Sequence, residues 1–419
     1  MVLDPTGTLV KKRIVLCCDG TWNRPDMNDV TNIEKIARTL EIDRAGTDGM
    51  QQIVEYEPGV GVSYGADRLL GGAFGLGVSN NVRHAYRFLA LNYQPGDDIF
   101  IFGFSRGAYT ARAVAGALNS VGLITRQALI GGRLREAIER YTHPHVDPPD
   151  LHGARPPVLA DLSTFRDQCC HPADVATVTF LGVFDTVGAL GVPGMFVPME
   201  REFSNTRLGA CVQIARQALA IDERRRVFEP CLWQIKDAEA HGDRIKQVWF
   251  EGVHSDIGGG YEECGLSTTT LRWMTDEAKT AGLVFDENLL NGYLEAPSPA
   301  RRHDSMNTLY DIDNRRAKLR ERLQRWRVGD GDRQVFLADG SRNLQPPVPT
   351  TDSGGGGSYC IPVRVASTVR ANYQAGYQPF NVQSFMATAA PGRDFEETVR
   401  LPHDAEVPTL PHKKPRTHR

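Results

Sequence analysis

The chain has 419 residues, 41% of them hydrophobic and 24% charged, with a formal net charge of −3. A chain of that length can bury a large core without disulfides or metal, and its near-neutral balance excludes a general attraction to nucleic acid. No stretch reaches the roughly 20 apolar residues of a membrane helix, so no transmembrane segment is expected.

The first apolar run, 14–18, is too short for the core of a signal peptide and stops at Asp19. The eight cysteines include the adjacent pairs Cys17-Cys18 and Cys169-Cys170, neither with zinc-ribbon spacing. Reduced structural thiols are therefore expected, which favours a cytoplasmic protein. Export by a route that needs no signal peptide stays open.

In chain order, the run 14–18 reads as a strand that leads into Asp19-Gly20-Thr21-Trp22-Asn23, and 32–40 as a helix. Residues 52–56 form a second short strand. The Gly-rich stretch 69–78 is expected to be a loop or an active-site lid, and 80–92 a helix burying Val82, Ala85, Tyr86 and Leu89. Residues 98–104 form the next strand, followed by a small-residue helix over 108–118. A charged helix is expected over 133–140, and further strands over 175–184 and 247–253. A helix over 269–280, a basic segment at 315–327, a glycine loop at 353–358 and an edge strand over 361–370 complete the pattern.

Strands alternating with helices predict an α/β fold with a mostly parallel central sheet flanked by helices. One catalytic domain is expected over residues 1–400, with insertions at about 121–174 and 262–350, and a poorly ordered tail over 401–419. Ligands in such sheets collect at the carboxyl ends of the strands. Asp19, Ser105, Asp185 and His254 all fall at such ends.

Gly103-Phe104-Ser105-Arg106-Gly107 has the Gly-x-Ser-x-Gly pattern of a nucleophile elbow, between a strand and a helix. The turn lifts the serine above the sheet, and the glycines remove side chains that would collide. A helix N-terminus at Ser105 also favours developing negative charge. A serine hydroxyl needs a base, and His254 opens a Gly-rich loop after a strand. Asp185 fits the carboxylate that aligns it, with Asp256 as a rival. The order Ser, Asp, His along the chain is that of the α/β-hydrolase arrangement. An oxyanion hole is expected from the Arg106 amide and from Gly20 in the loop after the first strand, which Asp19 and Thr21 would support.

Three other readings compete. Asp19, Asp185 and Asp256 could hold a metal for phosphoester chemistry, although Ser105 then goes unexplained. Residues 71–77 superficially suit a phosphate-binding turn, yet no clear strand precedes them. A non-catalytic protein could also retain a hydrolase scaffold. No cofactor is called for by the serine reading.

Five segments carry a resemblance: Asp19-Gly20-Thr21-Trp22-Asn23, Gly103-Phe104-Ser105-Arg106-Gly107-Ala108, Phe184-Asp185-Thr186-Val187-Gly188, Ala220-Ile221-Asp222-Glu223-Arg224-Arg225 and Val253-His254-Ser255-Asp256-Ile257-Gly258-Gly259-Gly260. With them the chain resembles the uncharacterised α/β-hydrolase domain family that includes the type VI secretion phospholipase effectors of the first lipase class. The resemblance implies a serine esterase that cleaves carboxylic esters, phospholipids among them, through Ser105, Asp185 and His254 and an acyl-enzyme. It also implies an effector-like role outside the producing cell.

Overall fold

The computed structural model describes residues 11–20, 30–42, 49–59, 72–142, 161–187, 208–236, 242–295, 298, 300–306, 342, 344, 359–360, 363–379, 381–383, 385, 396–397 and 399. Thr21, the segments 188–207 and 307–341, the glycine run at 353–358 and the tail lie outside the described residues.

Eight strands form one sheet in the order β10-β9-β7-β5-β4-β3-β1-β2, and every neighbouring pair is parallel. The longer strands are β1 (Lys12–Cys18), β2 (Gln51–Glu57), β3 (Asp98–Phe104), β4 (Val178–Phe184), β5 (Val212–Ala220) and β7 (Ile245–Phe250). The short β9 (Arg364–Ala366) and β10 (Glu396–Glu397) extend one edge. A separate antiparallel pair joins β6 (Ile235–Lys236) to β8 (Tyr359–Cys360). The central strands are continuously buried, as in the Ile-Phe-Ile-Phe-Gly-Phe run of β3, because helices cover both faces.

One face carries α1 (Asn32–Thr39), α8 (Gly265–Thr280) and α9 (Glu287–Leu294) over an aromatic core that includes Phe100, Phe102, Phe180, Trp249 and Trp273. The other carries α2 (Gly72–Asn92) and α3 (Ser105–Ser120), with α4 (Arg126–Ile130), α5 (Leu134–Thr142) and α6 (Leu162–Cys169) beyond them. Its core is smaller in grain: Ile14, Leu16, Ile99 and Ile101 meet Ala108, Ala111, Ala115 and Val114 of α3. Each fully buried aliphatic or aromatic side chain contributes about 1.5–3 kcal/mol. None of the described helices is long and apolar enough to cross a membrane.

Three expectations change. From Gly72 onward the anticipated loop is the first part of α2. The buried stripe Val82, Ala85, Tyr86 and Leu89 anchors that helix and outweighs the roughly 1 kcal/mol that each glycine costs. The expected strand over 361–370 is only three residues long and lies inside the sheet, with β10 beyond it. At Ser367 the chain turns into α10 (Ser367–Gln374), where Thr368 and Asn372, one helical turn apart, both donate to the buried Glu251 carboxylate at 3.0 Å. Finally, β7 ends at Phe250, and His254 instead opens the short α7 (His254–Gly258).

Candidate active site

The carboxyl ends of β1, β3, β4 and β5 deliver the polar residues. Ser105 joins β3 directly to α3 with φ at +58°, and Asp185 ends the neighbouring β4 at +37°. These are the non-glycine residues with positive φ among those described. Such geometry costs roughly 1–3 kcal/mol per residue and persists only where packing imposes it. The packing is explicit at Ser105. A Cβ on Gly107 would stand 2.2 Å from the Cys18 carbonyl oxygen, and one on Gly103 would stand 2.6 Å from Ala108 Cα. Glycine alone fits both positions, so α3 presses its first turn against the end of β1.

Asp185 and His254 meet in the interior. His254 Nδ1 lies 2.6 Å from Asp185 Oδ2, and Asp185 is fully buried. Since the carboxylate accepts, Nδ1 carries the proton and Nε2 is left with its lone pair. Nε2 is buried and makes no hydrogen bond. The rings of Phe104, the residue before Ser105, and Phe228 each lie 4.7 Å from the imidazole. Gly258 makes room for Phe104, since a Cβ there would lie 2.1 Å from the ring. Burial lowers the His254 pKa more than the Asp185 hydrogen bond and charge raise it. Burial alone would raise the Asp185 carboxyl, but the Arg342 charge and the His254 hydrogen bond hold it well below the usual carboxylate range.

The loop that presents His254 is held by three acids. Gly252 N–H donates to Asp222 Oδ2 at 2.8 Å, Val253 N–H to Asp256 Oδ2 at 2.9 Å and His254 N–H to Glu223 Oε2 at 3.3 Å. Glu223 is in turn bound by Arg225 at 2.7 and 2.9 Å, which outweighs its burial and lowers its pKa. The Arg225 guanidinium stacks on Phe228 at 3.7 Å. Asp256, the rival acid, faces another histidine: His303 Nδ1 sits 2.6 Å from its Oδ1, and burial raises the Asp256 pKa.

Asp19 lies at the end of β1 and accepts from Thr31 Oγ1 and Tyr56 Oη at 2.6 Å each. It also accepts from the Gly20 amide at 2.5 Å, so that amide is already engaged. Burial raises the Asp19 pKa despite these bonds. Asp19, Asp185 and Asp256 do not converge on a common point; among the described residues, the ligand-type side chains that do are Glu55, Glu57 and His84 at the β2 edge.

Sequence reasoning missed two of the residues around the imidazole. Glu223 stood within a noted motif but without a role, and its only signal was a run of charges directly after a strand. Arg342 had none. It is fully buried and grips Asp185 from 157 positions away.

A parallel sheet flanked by helices, with a serine elbow at β3 and a buried acid–histidine pair beyond β4 and β7, defines an α/β-hydrolase-like protein. Residues 12–277 match the family described as "T6SS, Phospholipase effector Tle1-like, catalytic domain". The chain belongs to that family. It is 31% identical over 237 residues to the uncharacterized protein YEL023C of Saccharomyces cerevisiae, a match spanning 52% of this chain and 32% of the yeast protein. Among solved structures, an uncharacterized protein from Pseudomonas aeruginosa aligns at 16% identity and a TM-score of 0.43, over 75% of this chain and 54% of that one. The Tle1 effector bound to the VgrG spike of the type 6 secretion system aligns at 14% identity and a TM-score of 0.38, over 84% and 91%. The family assignment rests on the sequence match.

Proposed function

We propose that this chain is a serine hydrolase of carboxylic esters, with phospholipid among its substrates. Ser105 is the nucleophile, His254 the general base and Asp185 the carboxylate that orients and charges the imidazole. The observation that carries the reading is His254 itself. Its Nδ1 is tied to a buried carboxylate, its buried Nε2 makes no hydrogen bond, to Ser105 Oγ or otherwise, and its ring packs on Phe104, which leads into the elbow that holds Ser105 at positive φ.

In the reaction, His254 Nε2 takes the Ser105 proton as Oγ attacks the ester carbonyl. The imidazolium is stabilised by Asp185 and then protonates the departing alcohol, leaving an acyl-enzyme. Water repeats the sequence, with His254 again as base, and releases the acid. The Arg106 amide, at the first turn of α3, supplies one oxyanion donor, supported by the helix dipole. Because the Gly20 amide already donates to Asp19, a contribution from Gly20 requires that bond to open as substrate enters. Asp19 otherwise holds the end of β1 where Gly107 packs.

The test is hydrolysis across a panel from short-chain p-nitrophenyl esters to phospholipid vesicles, for wild type and Ser105→Ala. Vesicle hydrolysis that falls by about 10⁴-fold or more in the variant is expected. Turnover confined to small soluble esters would remove phospholipid from the reading, and turnover untouched by Ser105→Ala would sink the mechanism.

A further inference from the structure

We propose that Arg342 is a positioning residue of this active site: it clamps both oxygens of Asp185, so that the part of the chain beyond the matched family span completes the triad and sets the pH range in which His254 works as a base. The proposal rests on the serine-hydrolase reading above.

The geometry is a closed fork. Arg342 Nη1 donates to Asp185 Oδ1 at 2.6 Å and Nη2 to Oδ2 at 3.0 Å, with both residues fully buried. The same two nitrogens donate outward, Nη1 to the Ala220 carbonyl at 2.9 Å and Nη2 to the Phe228 carbonyl at 2.5 Å. The two terminal nitrogens thus make four bonds, while Nε has no partner. These contacts join the end of β4, the end of β5 and the segment whose Phe228 ring flanks the imidazole. A planar, permanently charged fork is suited to this task, because it fixes a carboxylate's plane as well as its position. Arg342 lies beyond residue 277, where the family match ends.

The charges facing His254 balance. Asp185 from β4 and Glu223 from the segment after β5 are negative, while Arg342 and Arg225 are positive. Asp256, on the same short helix as His254, is paired with His303, whose other nitrogen meets Glu263. With Arg342 present, the pull of Asp185 on a proton at the ring is offset in part, and burial keeps the imidazole neutral. Without Arg342, a net negative charge would face the imidazole and favour imidazolium, which cannot accept the serine proton.

The experiment uses the full chain with Arg342→Met, Arg342→Gln and Arg342→Lys. The rate of Ser105 labelling by a fluorophosphonate is measured against pH, beside histidine carbon-13 NMR in which His254 is assigned by its loss in His254→Gln. Arg342→Met is expected to raise the midpoint of both profiles by about one pH unit or more, so that labelling lost near neutrality returns at higher pH. Arg342→Lys restores the charge and should return the midpoint to near wild type while leaving the labelling slow, because the fork is gone. Should Arg342→Met fail to fold, Arg342→Gln removes the same charge with a side chain that still donates, and the same shift is expected. A labelling rate reduced equally at every pH, with an unmoved His254 midpoint, would reduce Arg342 to packing and overturn the proposal. The two readings separate cleanly. Labelling that needs Ser105 with no midpoint shift upholds the triad and rejects the clamp; a shifted His254 midpoint in a protein that never labels upholds the clamp and rejects the hydrolase.

Discussion

The two halves of the site are held by different forces. The nucleophile half, where β1, β3 and α3 meet, is fixed by volume: Gly103 and Gly107 have no room for a Cβ, and α3 lays Ala108, Ala111 and Ala115 on the sheet. Its buried Cys17 and Cys18 thiols are pushed up by burial and stay neutral. The base half, spread over the ends of β4, β5 and β7, is fixed by charge: Asp185, Glu223, Arg225, Arg342 and His254 form one buried network. A serine that must sit in a strained turn needs rigidity, which close packing provides. A base that must change protonation needs its field controlled, and only charges do that. The halves should therefore fail differently, one to added volume and the other to altered charge or pH.

The largest effect is expected from Gly107→Ala. The new methyl would lie 2.2 and 2.3 Å from the Cys18 and Asp19 carbonyl oxygens. Both are backbone atoms, one in a strand and the other just past its end, so relief requires moving α3. Overpacking of this kind costs about 3 kcal/mol or more. Denaturant unfolding should show that loss, with Ser105 labelling lost at every pH alike. A labelling profile that merely shifted along the pH axis would contradict the division between the halves.

Glu223→Gln is the counterpart in the base half. It keeps volume and removes one charge from a pair whose acid is fully buried. Leaving Arg225 without its carboxylate costs about 2–4 kcal/mol. With one negative charge gone, the His254 midpoint should fall, opposite in direction to Arg342→Met. An unchanged midpoint would show that Glu223 serves only the backbone of the histidine loop.

Acid sensitivity sharpens the contrast. Folding lowers the His254 pKa, so the unfolded chain binds more protons and stability declines as pH falls below the ordinary histidine value of about 6.5. Asp185 is also lowered on folding; its contribution is complete above the unfolded carboxylate value of about 3.9 and is lost as pH falls toward its folded value. The first decline should therefore be histidine's, at most about 1.4 kcal/mol per pH unit for one proton. Urea unfolding between pH 8 and 5 checks this, with His254→Gln expected to flatten the slope. A slope unaltered by that substitution would place the acid-sensitive group elsewhere.

How legible each half was in the sequence follows from the same physics. Packing at the elbow is local: two glycines flank one serine within five residues, and a buried apolar run precedes them. The end of β4 that carries Asp185 was visible for the same reason, and so was β7, although it stops at Phe250 and His254 opens the short helix after it. The strand β5 was not, because Val212-Gln-Ile-Ala-Arg-Gln-Ala-Leu-Ala is composed largely of helix formers. It stays a strand because it is paired on both sides, with β4 and β7, and Arg216 and Gln217 find partners remote in sequence in Glu277 at 2.6 Å and the Cys231 carbonyl at 3.0 Å. Arg342 is the extreme case. A charge network is defined by distance in space, and no spacing along the chain announces an arginine that reaches Asp185.

The smallest effect is expected at His303, and its size is informative. His303 bridges Asp256 and Glu263 at 2.6 and 3.0 Å and stacks on Tyr261 at 3.9 Å, at the partly exposed rim of the histidine loop. Asp256 also receives the Val253 amide, so His303→Asn removes one support of a carboxylate that keeps another. Hydrogen bonds in such a setting contribute about 0.5–1.5 kcal/mol, and stability should fall within that range. Ser105 labelling should slow by no more than about tenfold, with an unmoved pH midpoint, because His303 meets Asp256 and Glu263 rather than Asp185. A large loss of labelling with the midpoint displaced would mean that the charge network extends through Asp256 to the rim. The base half would then be larger than the four charged groups that face His254, and its boundary with solvent would lie at Tyr261 and Glu263 rather than at Phe228.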